Sequence, residues 1–164
     1  MPLSIAAANS FLREMLGFSS SGIAPAAYLG FLKDAPLNDS YQEPFAQAGD
    51  NGYGRVIIGT YSGVNSMHNP SSTTQPTPGR STNDIQIAGT ECLSTWDPIK
   101  YFAIFKSNVV NSQGDLICWG RLLDEYGEPT TVTVQTGYIP VFRAGSLTLS
   151  FQTTESESSA SSNS

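Results

Sequence analysis

At 164 residues, with eight basic against fourteen acidic side chains, the chain carries a net charge of −6 and no Lys/Arg cluster, which argues against nucleic acid as a partner. Charged residues make up only 13% and hydrophobic residues 39%, leaving a surface rich in Ser, Thr, Asn, Gly and Pro that suits extensive contact with other proteins. No run approaches the roughly 20 apolar residues that span a bilayer, and no basic-then-apolar leader opens the chain, so the expectation is a soluble, unprocessed protein with no membrane partner.

The length suits one domain, expected over residues 1–151. Residues 4–16 read as its one helix. Ser4 caps it, Ile5, Ala8, Phe11, Leu12, Met15 and Leu16 recur at helical spacing, and Gly17 ends it. The apolar stripe closes one side of a sheet or, through Phe11 and Met15, docks on a neighbouring protein.

After the SSSGIAP loop, residues 26–33 (AAYLGFLK) form an apolar run between Pro25 and Pro36 and read as a strand. A polar connection leads to GYGRVIIGTY at 52–61, a β-branched strand flanked by glycines. Residues 62–83 hold almost no core-forming side chains and read as a long surface loop. That loop is a candidate contact element, carrying His68 and Arg80.

From Asp84 to Phe151 the runs DIQIA, YFAIF, DLICWGRLL, TVTVQT, YIPVF and SLTLSF are separated by turn residues. The turn DEYGEP should join LICWGRLL to TTVTVQT as an antiparallel hairpin. The Ser-rich tail 152–164 shows no apolar periodicity and is expected to be disordered in isolation. Packing so many short strands calls for two antiparallel layers, giving a mainly β fold, a β-sandwich or jelly-roll-like domain with one N-terminal α-helix.

Catalytic chemistry is sparse. His68 is the only histidine and has no Cys, Asp or Glu at ligand spacing, so no metal is expected. Asp124, Glu125 and Glu128 cluster at a turn, where short polar side chains serve turn geometry. No nucleophile elbow or phosphate-binding loop occurs, and no cofactor is implied. Asp97 and Asp115 are the carboxylates an enzyme reading would have to use, and neither has a convincing catalytic partner. Cys92 and Cys118 read as buried free thiols. Trp119 and Arg121, two residues apart, point to one face of their strand and suit either a sugar stack or an oligomer seam.

Taken in order, the N-terminal helix, AAYLGFLKDAP, NGYGRV, NDIQIAG, STWDPIKYFAIFKS, GDLICWGRLL and FRAGSLTLSF resemble small tailed-bacteriophage virion proteins usually labelled phage tail fibre protein. The resemblance covers most of residues 3–151. It implies a non-enzymatic virion component present in many copies and made in the host cytoplasm. The expectation is a homo-oligomer, a trimer, decorating the head exterior and bound to the major capsid protein or other virion proteins. The alternative is a tail-fibre or receptor-binding module contacting a host surface glycan. The candidate protein-contact residues are Phe11, Met15, Trp119, Arg121, His68 and Arg80.

Overall fold

The computed structural model describes residues 3–19, 24, 26–44, 51–61, 63, 65–69 and 79–151. It is mainly β, with antiparallel pairing and one N-terminal helix. The elements in chain order are α1 (Ile5–Met15), β1 (Ala26–Leu32), β2 (Val56–Thr60), β3 (Arg80–Thr82), β4 (Ile87–Ala88), β5 (Tyr101–Phe105), β6 (Leu116–Arg121), β7 (Val141–Phe142) and β8 (Thr148–Ser150). They fall into two compact units interleaved in sequence. Unit 1 holds residues 1–26, 59–87 and 142–164, and unit 2 holds 27–58 and 88–141. The expected disordered tail lies outside the described residues.

Unit 1 packs α1 against β3 and β8. The Ser4 hydroxyl accepts from the Ala7 N–H, and Ala8, Asn9, Leu12 and Met15 form the buried stripe. At the other end Leu16 N–H closes the last helical turn on Leu12 O and Phe18 N–H reaches back to Arg13 O, the six-residue bond of a Schellman-type cap, with Arg13 over the Phe18 ring. The cap turns on Gly17, whose φ of +80° favours glycine; a Cβ there would also sit 2.7 Å from Gly59 O.

β3 and β8 pair antiparallel, Arg80 with Ser150 and Thr82 with Thr148. Here the expected 62–83 loop is corrected at its end, where residues 80–82 are a strand; residues 62, 64 and 70–78 lie outside the described residues. Residues 66–69 run beside 81–84 through His68 N–H to Thr82 O and Asp84 N–H to Ser66 O, and Met67 and Ser81 are buried. The physical reason is that hydrogen bonds bury polar residues here: the Ser81 hydroxyl donates to His68 O. A reading based on apolar content does not register such a strand.

Unit 2 is built on the sheet β2-β1-β5-β6. β1 and β5 pair Tyr28 with Phe105 and Leu32 with Tyr101, while β5 and β6 pair Tyr101 with Arg121 and Ala103 with Trp119. One face therefore carries Tyr28, Gly30, Leu32, Tyr101, Ala103, Phe105, Trp119 and Arg121. A register shift beside Phe105 brings Leu116 opposite that residue, so Leu116 packs on the Phe105 cluster rather than sharing a face with Cys118.

The other segments of unit 2 are irregular. Leu37 and Ser40 exchange both backbone hydrogen bonds around Asn38 and Asp39, which have φ of 51° and 62°, a two-residue hairpin loop. The DEYGEP turn forms as expected, with Gly127 N–H to Asp124 O and Asp124 Oδ1 accepting from Tyr126 and Glu128. The strand TTVTVQT does not continue along β6. After Thr130 N–H reaches Leu122 O, Val132 exchanges hydrogen bonds with Ile99 and Val134 O accepts from Trp96, so this stretch lines residues 92–99 instead.

Candidate functional site

The densest chemistry of the described chain lies over the Phe105 face of the sheet. Glu43 and Arg55 meet there with no side-chain exposure, Arg55 Nε and Nη2 each donating at 3.0 Å to one oxygen of Glu43. The guanidinium lies 3.6 Å from the centre of the Phe105 ring. Its Nη1 donates at 3.0 Å to Ser107 O and at 3.4 Å to Asp115 Oδ2. The backbone N–H of Asn111 donates to Glu43 Oε2, and the Ser107 hydroxyl donates to Asp115.

Tyr53 completes the cluster. Its hydroxyl donates to Glu43 Oε1 at 2.5 Å and accepts from the Phe31 N–H at 3.1 Å. Burial, with the Glu43 charge beside it, pushes the Tyr53 phenol well above its usual range. Burial likewise raises Tyr41, whose hydroxyl donates to Ser112 O. Burial alone would lower Arg55, but the paired Glu43 outweighs it and holds the guanidinium above its ordinary value. Asp115 is held below the usual carboxylate range, chiefly by the Ser107 hydroxyl.

This cluster dictates Gly30. A Cβ there would fall 2.7 Å from the Tyr53 hydroxyl and 2.8 Å from the Phe105 ring, so the middle of β1 needs a residue without a side chain. Asn51 anchors the same region: its carbonyl accepts from the Trp96 indole N–H and from Leu93, and its side chain bonds Pro44 O and the Tyr53 N–H. Trp96 is buried edge-on to Tyr53 at 5.2 Å.

Chemically, the arrangement is a fastener. It ties 41–44, 51–55 and 107–115 onto the sheet with a buried ion pair, and among the described residues no buried side-chain nitrogen or oxygen lacks a partner. Sequence reasoning missed Glu43 and Arg55. The available signal was a lone arginine leading an apolar strand in a chain of low charge, at the arginine of the GYGRV segment.

The sequence-selected residues are scattered. In unit 1, Phe11 is exposed and meets Phe151 at 6.2 Å between ring centres, while Met15 is buried in the helix stripe. His68 is exposed with Nδ1 3.3 Å from Asp84 Oδ2, and Arg80 is exposed on β3. In unit 2, Trp119 and Arg121 do come together: Trp119 sits edge-on to Tyr101 at 5.3 Å, and the Arg121 guanidinium lies 5.1 Å from the same ring. Asp97 makes a surface ion pair with Lys33 at 3.0 Å.

Both cysteines are free; burial pushes the Cys118 thiol up to about 12, and the Cys92 thiol donates to Ser94 O and Val134 O. Among the described residues, no three His, Cys, Asp or Glu side chains are grouped to hold a metal ion, and no helix is long and apolar enough to cross a membrane. A groove of about 250 Å³ in unit 2 is lined by Val132, Val134, Tyr138, Ile139 and Pro140. No protein-family model matches the chain, and no curated protein matches it significantly.

Proposed function

We propose that this chain is a structural, non-enzymatic component of a tailed-bacteriophage particle, an oligomeric decoration protein that binds the head exterior and reinforces the shell. The ordered resemblance along residues 3–151 supports the virion assignment. The observation that carries an assembly role over a catalytic one is the use of the buried charges. The buried Glu43 and Arg55, with the partly buried Asp115, are consumed in internal fastening, while large apolar side chains such as Tyr126 (81% exposed), Leu37 (73%) and Tyr138 (66%) face outward.

Reinforcement of this kind is passive. A subunit that binds only the assembled shell stabilises that shell by mass action and needs no reactive group. Its partners are then copies of itself and the major capsid protein.

Immunogold labelling of intact particles with antibody against this chain tests the reading. Gold over the head is the expected result. Gold restricted to the tail tip transfers the protein to the receptor-binding reading, with a host-surface glycan as ligand, and unlabelled particles overturn the virion assignment.

A further inference from the structure

We infer that the outer edge of β6 is a seam for a second copy of this chain, paired antiparallel about a two-fold axis at Gly120. β6 ends the strand order of its sheet, so among the described residues nothing pairs with its outer side. Leu122 N–H donates inward to Lys100 O. Alternation then turns the N–H and C=O groups of Trp119 and Arg121 outward, in position to accept a new strand.

Exposed edges are usually blunted by several charges, by proline or by a covering segment. In β6 the only charged residue is Arg121, and the indole of Trp119 is 45% exposed on the same strand. An edge of this kind favours addition of a strand.

The occupant follows from self-complementarity. Trp119 and Arg121 stand two residues apart on one face, so a copy rotated about Gly120 places Trp119 opposite the partner's Arg121, and Arg121 opposite the partner's Trp119. Each guanidinium then meets an indole, the better cation–π acceptor, across the strand pair. Arg121 already takes an aromatic partner within its own chain, lying over Tyr101. The same rotation sets Ile117 opposite the partner's Leu123, which is exposed in the single chain. An edge carrying both halves of its own contact is satisfied by its own copy, and such an isologous seam closes at two subunits, in place of the three expected from sequence.

The seam involves contact residues named above but does not rest on the virion reading, which particle labelling tests separately. Sedimentation equilibrium of the purified full chain, followed up to roughly 100 µM, reads it directly. The expected result is a reversible dimer. Trp119→Ala and Arg121→Glu should each weaken it by about tenfold or more, with unchanged far-UV circular dichroism. High salt should weaken it less than Trp119→Ala does, because stacking is screened less than an exposed ion pair. A wild-type monomer throughout the range, or an assembly whose affinity neither substitution changes, overturns the seam.

Discussion

The two units solve one problem in two ways. Both must hold irregular, polar chain segments against a small amount of regular structure. Unit 2 does so with a buried ion pair, Arg55 clamped on Glu43 and reaching Asp115. Unit 1 does so with neutral amides. Asn83 donates to Ile85 O and Arg143 O and accepts from Leu147 N–H, Asn65 bridges Leu16 O and Met67 N–H, and Asn9 accepts from Gly79 N–H. A buried charge pair is strong only while both halves are present, whereas an amide hub loses little more than its own hydrogen bonds. The units should therefore answer differently to truncation and to acid.

Breaking the ion pair gives the largest effect. Glu43→Ala leaves the Arg55 guanidinium buried without its main partner and should cost about 3–5 kcal/mol, read from denaturant midpoints. Replacing both partners together, Glu43→Leu with Arg55→Met, should recover much of that loss, because no uncompensated charge remains. A double variant as unstable as Glu43→Ala would show that the network stabilises by geometry rather than by charge compensation.

Asn83→Ala tests the neutral side. Three side-chain hydrogen bonds disappear from a buried hub, and the expected cost is about 2–3 kcal/mol. That cost should not vary between pH 5 and pH 8, since no group in the hub titrates. A pH-dependent loss would erase the distinction between the units.

Acid sharpens it. The Asp115 carboxyl is depressed in the folded chain below its ordinary value of 3.8, with the Ser107 hydroxyl as the main cause. The native state thus binds fewer protons than the unfolded state near that value. The contribution of Asp115 is fully present above the unfolded pKa and is lost as pH falls through the lower folded value. Hydrogen exchange measured stepwise below pH 4 should show residues 106–115 of unit 2 losing protection before residues 79–84 of unit 1, and Asp115→Asn should remove that pH dependence. The smallest expected effect is Ser4→Ala. Loss of the cap on α1 should cost about 1 kcal/mol, visible as a lowered thermal midpoint.

Much of the architecture was legible in the chain. The cap at Ser4, the helical spacing through Met15 and the stop at Gly17 identify α1, because these are local hydrogen-bond and backbone preferences. Short apolar or β-branched runs bounded by glycine, proline and turn residues identify β1, β2, β5 and β6 for the same reason: composition and chain breakers are local signals, whatever the strand pairs with. Residues 80–82 were read as part of a loop because Ser81 is buried by a hydrogen bond rather than by apolar contacts, and TTVTVQT was misplaced because its alternation names no partner. Trp119 and Arg121 were found as neighbours because spacing alone places residues two apart on one face of a strand.

What the sequence by itself determined is thus the helix and the main strands, the antiparallel mainly β class and the scarcity of candidate catalytic groups in the chain. Only the tertiary structure decided that Glu43 meets Arg55 across twelve positions, and that Asp115 joins them from sixty away. It alone decided that Gly30 is small to make room for Tyr53, and that β6 ends its sheet. The reason is physical: local preferences act over one turn or one strand. The value of a buried charge or an open edge depends on which distant segment arrives beside it.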